Sequence, residues 1–358
     1  MHPDFWHGRR VFITGHTGFK GSWLCLLLNS FGARVAGYAL EPPTRPNLFS
    51  LARVGELVES TQGDIRDLQA LIARVSSFSP DVVFHMAAQS VVLDSYADPV
   101  QTYSTNVMGT VHVLEAVRRL QHPCVVVNVT TDKCYENKGW PWGYRENDSL
   151  GGRDPYSSSK ACAELVGQCF RDAYFAPSRW SEHQVSIGNA RAGNVIGGGD
   201  WTPRQLVPET IASFLAGQPA VLRHPQAVRP WQHVLDCLGG YMRLAEALTE
   251  DTARFSGEWN FGPADVDSRP VSYVVETLAA CWGAAQPWVA DIHSHAAEEQ
   301  QLRLDVNKAA GLLGWRSRLD IDDGLAWVAD WYRQFHAGGD AREICNAQIA
   351  RYLTRPGN

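Results

Sequence analysis

The sequence lacks any run of the roughly 18 apolar residues that a membrane-spanning helix needs. Its first apolar run, VFIT, is only four residues long, too short for the core of a secretory leader. It also lacks a dominant charge: 32 Lys and Arg against 38 Asp and Glu leave a net charge of −6. So mild an acidic balance gives no electrostatic case for nucleic acid or a membrane surface. An anionic substrate would have to be met by locally placed Arg or Lys. No CxxC pair occurs among the eight cysteines, and most lie in apolar stretches. A metal site wants tighter Cys/His clustering, so no metal is expected. The thiols read as small buried groups in a reducing cytoplasm. Internal repeats and low-complexity tracts are absent as well.

At 358 residues the chain exceeds what one compact core usually holds, so a large domain with a smaller lobe is expected. The first half alternates strand-like and helix-like segments. RRVFITG, RVAGYAL, LVESTQGDI, VVFHMAAQ, CVVVNVTT and QVSIGNARAGNVIG read as strands, the last as one continuous strand. GSWLCLLLNSFG, DLQALIARVSSFSP and PVQTYSTNVMGTVHVLEAVRRL read as helices, the last as one long helix. Such alternation implies an α/β fold with a doubly wound, parallel, Rossmann-type sheet. Continuously apolar strands agree, because a parallel sheet is covered on both faces. After about residue 200 Trp, Pro and Arg become frequent. Residues 1–190 are expected to form a dinucleotide-binding domain to which later segments return. Residues 191–358 are expected to supply mainly a smaller α/β substrate lobe, interleaved with the first domain.

Gly15, Gly18 and Gly21 form GxxGxxG between a strand and a helix. Glycines there let the backbone turn sharply and approach a pyrophosphate, whose charge a helix N-terminus favours. Lys20 reads either as a further phosphate contact or as a solvated lysine. An acid about 20 residues on commonly holds the ribose 2′-hydroxyl. RVAGYAL ends without one; Glu41 lies just beyond it and Arg45 follows. The region leans to NAD over NADP. Asp64 reads as a partner for an adenine amine or, equally, as a helix N-cap.

Tyr156 and Lys160 stand four residues apart, about one helical turn. Tyrosine ionises near pH 10, so to act as a base near neutrality it needs a cation held close. A lysine one turn away would supply it, helped by the positive charge of a nicotinamide. Thr131, Asp132 and Lys133 directly follow the fifth strand, and ligands of open α/β sheets bind outside the carboxyl ends of strands. Gly197 to Gly199 read as a substrate loop or a flexible turn. Trp201 and Trp231 are more safely core than base-stacking residues, given 13 tryptophans.

ITGHTGFKG, HMAAQ, TTDKCYEN, YSSSK and RAGNVIGGGDW resemble the extended short-chain dehydrogenase/reductase superfamily, and within it the nucleotide-sugar 4,6-dehydratases, CDP-glucose branch. The likeness runs from Arg9 to about Trp331 and takes in RPWQHVLD, GEWNFGP and LDVNKAAGLLGW. The resemblance implies a lyase, working in the cytoplasm in deoxysugar or O-antigen biosynthesis. It implies that Tyr156 deprotonates the sugar 4-hydroxyl as C4 is oxidised by NAD. Thr131 bonds the 4-oxygen, Asp132 protonates the departing 6-hydroxyl, and Lys160 holds the nicotinamide ribose. The product is CDP-4-dehydro-6-deoxy-D-glucose. Related dTDP-glucose and GDP-mannose enzymes carry TDE where this chain has TDK, so Lys133 replaces the glutamate that removes the C5 proton. A lysine is a base only when neutral; Lys133 is either that base or a stabiliser of the enolate.

By motif, the same resemblance implies cofactor contacts from Gly15, Thr17, Gly18, Phe19, Lys20, Gly21, Asp64, Ile65, Ala87, Ala88, Gln89, Tyr103, Asn106 and Thr130. It implies substrate contacts from Gln89, Ser90, Asn194, Arg204, Arg229 and His233, with CDP-glucose as the ligand. Relatives pair through the 101–120 and Tyr156 helices, so a homodimer or higher homo-oligomer is expected. The rivals are a 4-epimerase or a dehydratase for another nucleotide sugar, and a dinucleotide-binding sensor without turnover. Epimerases need no carboxylate at position 132, and a sensor would have lost the tyrosine.

Overall fold

A computed structural model describes residues 1–291 and 301–355. Seven strands form one parallel sheet. They are β1 (Arg10–Thr14), β2 (Arg34–Ala39), β3 (Glu59–Gln62), β4 (Val82–His85), β5 (Cys124–Val129), β6 (Val185–Ala192) and, much later in the chain, β10 (Gly257–Phe261). The spatial order is β10-β6-β5-β4-β1-β2-β3. The chain leaves β1 in one direction through β2 and β3, then returns and builds β4, β5 and β6 on the other side. That reversal between β1 and β4 opens the crevice in which doubly wound sheets bind ligands.

Every residue of β5 and of β6 is buried, as befits central strands of a parallel sheet covered on both faces, although β6 brings Ser186, Asn189 and Arg191 inside with it. Alternate side chains serve the two faces. Val11, Ile13, Val125 and Val127 join one core, and Phe12, Val83, Val126 and Ile187 the other. Edge strand β3 is polar and mostly exposed, which discourages pairing with another chain.

Two smaller sheets lie beyond the carboxyl ends of the main one. The first orders β11 (Ser268–Pro270), β9 (Val228–His233) and β7 (Asn194–Ile196); the second pairs β8 (Ala220–Leu222) with β12 (Trp288–Ala290). Helices Val234–Glu250, Ile321–His336 and Ala341–Thr354 pack into the larger core shared with the main sheet. Among the described residues, no helix is long and apolar enough to cross a membrane.

The stretch RAGNVIG does not prolong β6. The chain leaves the main sheet at Gly193, where a Cβ would stand 2.5 Å from Pro230 Cγ, and β7 joins β9 instead. The long helix expected over PVQTYSTNVMGTVHVLEAVRRL is also interrupted. Pro99–Tyr103 and Gly109–Arg118 are α-helical, but Ser104–Met108 forms a wider π turn. The cause is Asn106, turned inward: its Oδ1 accepts from Gln89 N at 2.9 Å, and its Nδ2 donates to Gln89 O at 3.0 Å and Ser159 Oγ at 2.9 Å. A π turn of this kind is a frequent device at functional sites.

Candidate active site

The glycine turn closes over the crevice. Gly15 adopts φ +79°, and a Cβ there would lie 2.8 Å from Ala87 N, so the turn abuts the segment that follows β4. At Gly21 a Cβ would stand 2.2 Å from Gly15 O. Helix Phe19–Ser30 starts at Gly18 with no side-chain cap, leaving its first N–H groups for an anion. Thr17 Oγ1 donates to Leu40 O at 3.0 Å, and Phe19 lies against Gly197. Lys20 is half-buried, with Nζ 5.7 Å from the centre of the Tyr241 ring.

Around this cradle, Ile65 is buried against Gly109. Gln89 Nε2 donates to Val91 O at 2.8 Å. Ala88 is partly buried, Ser90 exposed, and Tyr103 stands 38% exposed at the mouth of the π turn. Asp64 is no N-cap: Asp67 caps the following helix, and Asp64 is gripped by Arg66, with Nε 2.9 Å and Nη2 2.6 Å from Oδ2. That guanidinium holds the Asp64 carboxyl below the usual range.

Helix Pro155–Ala173 carries Tyr156 and Lys160. Its start is fixed by Pro155 and by Asp154, whose Oδ1 accepts from Ser157 N at 2.9 Å. Tyr156 N donates to Ser95 Oγ at 3.2 Å. Lys160 Nζ reaches back to Val129 O, the last residue of β5, at 3.1 Å. The chain then turns through Thr131, Asp132 and Lys133. Thr131 Oγ1 accepts from Lys133 N at 3.3 Å and donates to Asp132 Oδ1 at 3.1 Å. The Thr131 side chain opposes the rise that burial imposes on the Tyr156 hydroxyl. Thr131 and Asp132 are thus bonded to each other in the turn that faces the Tyr156 helix.

Asp132 is almost wholly buried, with Oδ2 unpaired. Burial raises its proton affinity, although Lys133, Thr131 and Arg229 all oppose the rise. A carboxyl so placed keeps its proton further towards neutrality and suits a general acid. Lys160 is lowered to about 8, chiefly by burial and then by Lys20. Tyr156 departs from the expectation of a lowered hydroxyl. Burial raises it instead, because the site is dry and the ammonium of Lys160 is turned to Val129 O.

On the far wall, Arg229 of β9 stands opposite Arg269 of β11, and Asn194 Oδ1 is buried without a hydrogen-bond partner among the described residues. Arg204 pairs with Asp94. His233 does not face the crevice. Its Nδ1 caps helix Val234–Glu250 by accepting from Leu235 N at 3.3 Å, and its ring packs between Trp23 and Trp327. Gly197 to Gly199 are no free loop: Trp23 Nε1 donates to Gly198 O, and a Cβ at Gly198 would stand 2.0 Å from Trp331 Cγ. Trp231 is buried in the core, and half-buried Trp201 packs against it through Trp331.

Four participants escaped the sequence. Ser95 anchors Tyr156, and Ser159 anchors Asn106. Glu164 and Arg191, both fully buried, form an ion pair at 2.9 Å, and Thr130 donates to that carboxylate. Only Glu164 left a visible signal, one turn beyond Lys160 on the same helix face.

Comparison with known proteins places this geometry. Residues 12–327 match the family model described as GDP-mannose 4,6 dehydratase. The chain is 47% identical over 351 residues to a CDP-glucose 4,6-dehydratase of Salmonella typhimurium, covering 98% of each. It is 27% identical to a dTDP-glucose 4,6-dehydratase of Xanthomonas campestris, covering 89% of this chain and 92% of that protein. Among solved structures, a dTDP-glucose 4,6-dehydratase from Bacillus anthracis in complex with NAD superposes with a TM-score of 0.76 at 22% identity, over 94% of this chain and 100% of that one. With its glycine cradle, its YxxxK helix and its TDK turn, the chain belongs to the nucleotide-sugar 4,6-dehydratases of the extended short-chain dehydrogenase/reductase superfamily.

Proposed function

We propose that the protein is an NAD-dependent CDP-glucose 4,6-dehydratase, converting CDP-glucose to CDP-4-dehydro-6-deoxy-D-glucose. The observation that carries this reading is the buried carboxyl of Asp132, bonded to Thr131 at the end of β5 and held against the Tyr156 helix by Lys160 Nζ at Val129 O. The 47% identity to the Salmonella enzyme along the full chain supports the nucleotide.

The residues fit a dinucleotide: Gly15, Gly18 and Gly21 form a cradle that a Cβ would fill, at an uncapped helix start. They would hold its pyrophosphate, with Lys160 and Ala87 toward the nicotinamide half. When bound, NAD supplies a hydride acceptor that later returns the hydride, and a positive ring that offsets charge on Tyr156. Tyr156 takes the proton of the sugar 4-hydroxyl as C4 is oxidised. The resulting ketone acidifies C5–H. Lys133, in its neutral form, takes that proton while Asp132 gives its own to the 6-hydroxyl, which leaves as water. Reduction at C6, with a proton returned to C5 from Lys133, makes the methyl group. Arg229, Asn194 and Gln89 bind the nucleotide diphosphate; a guanidinium suits it best. Arg204, with Asp94, would close the outer rim.

The working unit is proposed to be a homodimer, through helices that leave Val100 78%, Met108 46% and Leu165 53% exposed. Eight free thiols fit the reducing cytoplasm. The test offers CDP-, dTDP-, UDP- and GDP-glucose with NAD and follows the 4-keto product. Fast turnover of CDP-glucose alone is expected; absence of turnover with it overturns the assignment.

A further inference from the structure

Two buried charges take no part in the chemistry above. Glu164 and Arg191 have no exposed side-chain surface, and they sit directly behind the acid turn. Removing an ion pair from water is expensive, and a hydrophobic pair of similar volume often serves stability as well or better. The pair must therefore be explained by what it holds. Glu164 Oε2 takes Arg191 Nη2 at 2.9 Å, and its Oε1 accepts from Thr130. Arg191 Nη1 donates to Tyr135 OH at 2.8 Å and to Glu146 O at 3.0 Å. Tyr135 OH in turn donates to Asn260 Oδ1 at 2.7 Å. One helix face thus grips the end of β5 twice in succession: Lys160 at Val129 O and Glu164 at the Thr130 hydroxyl. The next two residues are Thr131 and Asp132.

The charges around Lys160 are few. Lys20 from helix Phe19–Ser30 disfavours its ammonium and Glu164 on its own helix favours it; the Cys134 thiol of the acid turn, kept neutral by burial, also lies near. His85 of β4 also faces it, held neutral by burial and by Lys160 at about 3. Facing Glu164 are Arg191, Thr130 and the same Cys134 thiol. Glu164 is thus the one carboxylate among the described residues that supports the Lys160 charge.

We propose that Glu164, paired in the core with Arg191, is a positioning residue of the reaction: it locks the Thr130–Asp132 strand end to the Tyr156 helix and sets a carboxylate one helical turn from Lys160. The role rests on the proposed dehydratase reading, but its electrostatic half can be measured without turnover.

E164Q alone would strand a buried guanidinium, so the test uses E164Q/R191M, which removes both charges and leaves an acceptor for Thr130. Competitive acetylation of Lys160 across a pH series, read by peptide mass spectrometry, reports its ionisation directly. Its midpoint is expected to fall by about half a unit, about a threefold change in the ammonium-to-amine ratio, and the alkaline limb of kcat to fall with it. T130V keeps both charges and cuts only the strand-end link. It is expected to leave the Lys160 midpoint in place and lower kcat about tenfold with KM for the sugar nucleotide unchanged. A folded double variant with an unmoved midpoint overturns the electrostatic role, and T130V with wild-type kcat overturns the positioning role. If the midpoint moves while wild-type protein fails to turn over CDP-glucose, the dehydratase reading falls and the electrostatic role stands.

Discussion

Replacing Asp132 by Asn separates the two halves of the reaction. The amide keeps an oxygen at Oδ1 to accept the Thr131 hydroxyl, and its NH2 enters the place of Oδ2, an atom with no hydrogen-bond partner in the wild type. The swap therefore neither breaks a bond nor opens a cavity. Its cost in stability is set at about 1 kcal/mol by the polar group involved, a shift in Tm of about 2–4 °C. What it loses is the proton. Burial raises the Asp132 carboxyl, so the wild-type group carries a proton closer to neutrality than an ordinary aspartate, and an amide cannot donate in its place. A positioned general acid contributes about 10²–10⁴-fold, which is about 2.7–5.4 kcal/mol of barrier. That loss falls on water elimination and not on oxidation at C4, which Tyr156 serves. In single turnover with NAD, D132N is expected to accumulate the 4-keto sugar nucleotide that still bears its 6-hydroxyl, detected by mass spectrometry. Release of the 6-deoxy product should fall by the factor above. D132N that makes the 6-deoxy product within about threefold of the wild-type rate refutes the assignment of the acid.

Other substitutions probe the remaining parts. Y156F removes one hydroxyl from a buried ring whose backbone is anchored at Ser95, so thermal unfolding should move little while turnover falls by about 10²-fold or more. K133Q should abolish exchange of the C5 proton with solvent deuterium in the 4-keto intermediate; unchanged exchange reassigns the base. G21A drives a Cβ to 2.2 Å from Gly15 O, and should destabilise the protein by about 1–3 kcal/mol and weaken NAD binding in calorimetry. Because Lys160 loses its proton near pH 8, wild-type kcat should decline as pH rises through that value, and a flat profile to pH 10 contradicts the role of its ammonium.

Much of this molecule was legible in the chain because single residues announce their elements. A glycine turn flanked by an apolar run and a helical pattern has few meanings, and strands buried on both faces cannot hide their composition. What stayed hidden depended on partners far away in sequence. The apolar periodicity of 99–120 continues smoothly through the π turn; only the inward pull of Gln89 and Ser159 on Asn106 widens it. RAGNVIG is apolar enough to prolong β6, and it is the approach of Pro230 and Asp132 to Gly193 that turns the chain away. His233 looks like a site residue in RPWQHV, yet two tryptophans from other helices enclose its ring. The proton affinity of Tyr156 depends on how dry its surroundings are and on where Lys160 points, and neither is written in a four-residue spacing. Arg191 is ordinary in sequence and becomes informative only once Glu164 is seen across from it.

The central claim is that the hydrogen removed from C4 of the sugar comes back to C6 of the same molecule. CDP-glucose carrying deuterium at C4 tests it most directly, with unlabelled NAD in excess and the product examined by NMR and mass spectrometry. The account predicts one deuterium in the 6-methyl group and none in the free cofactor. Deuterium lost to the bulk NAD pool or to water, with an unlabelled methyl group, contradicts it.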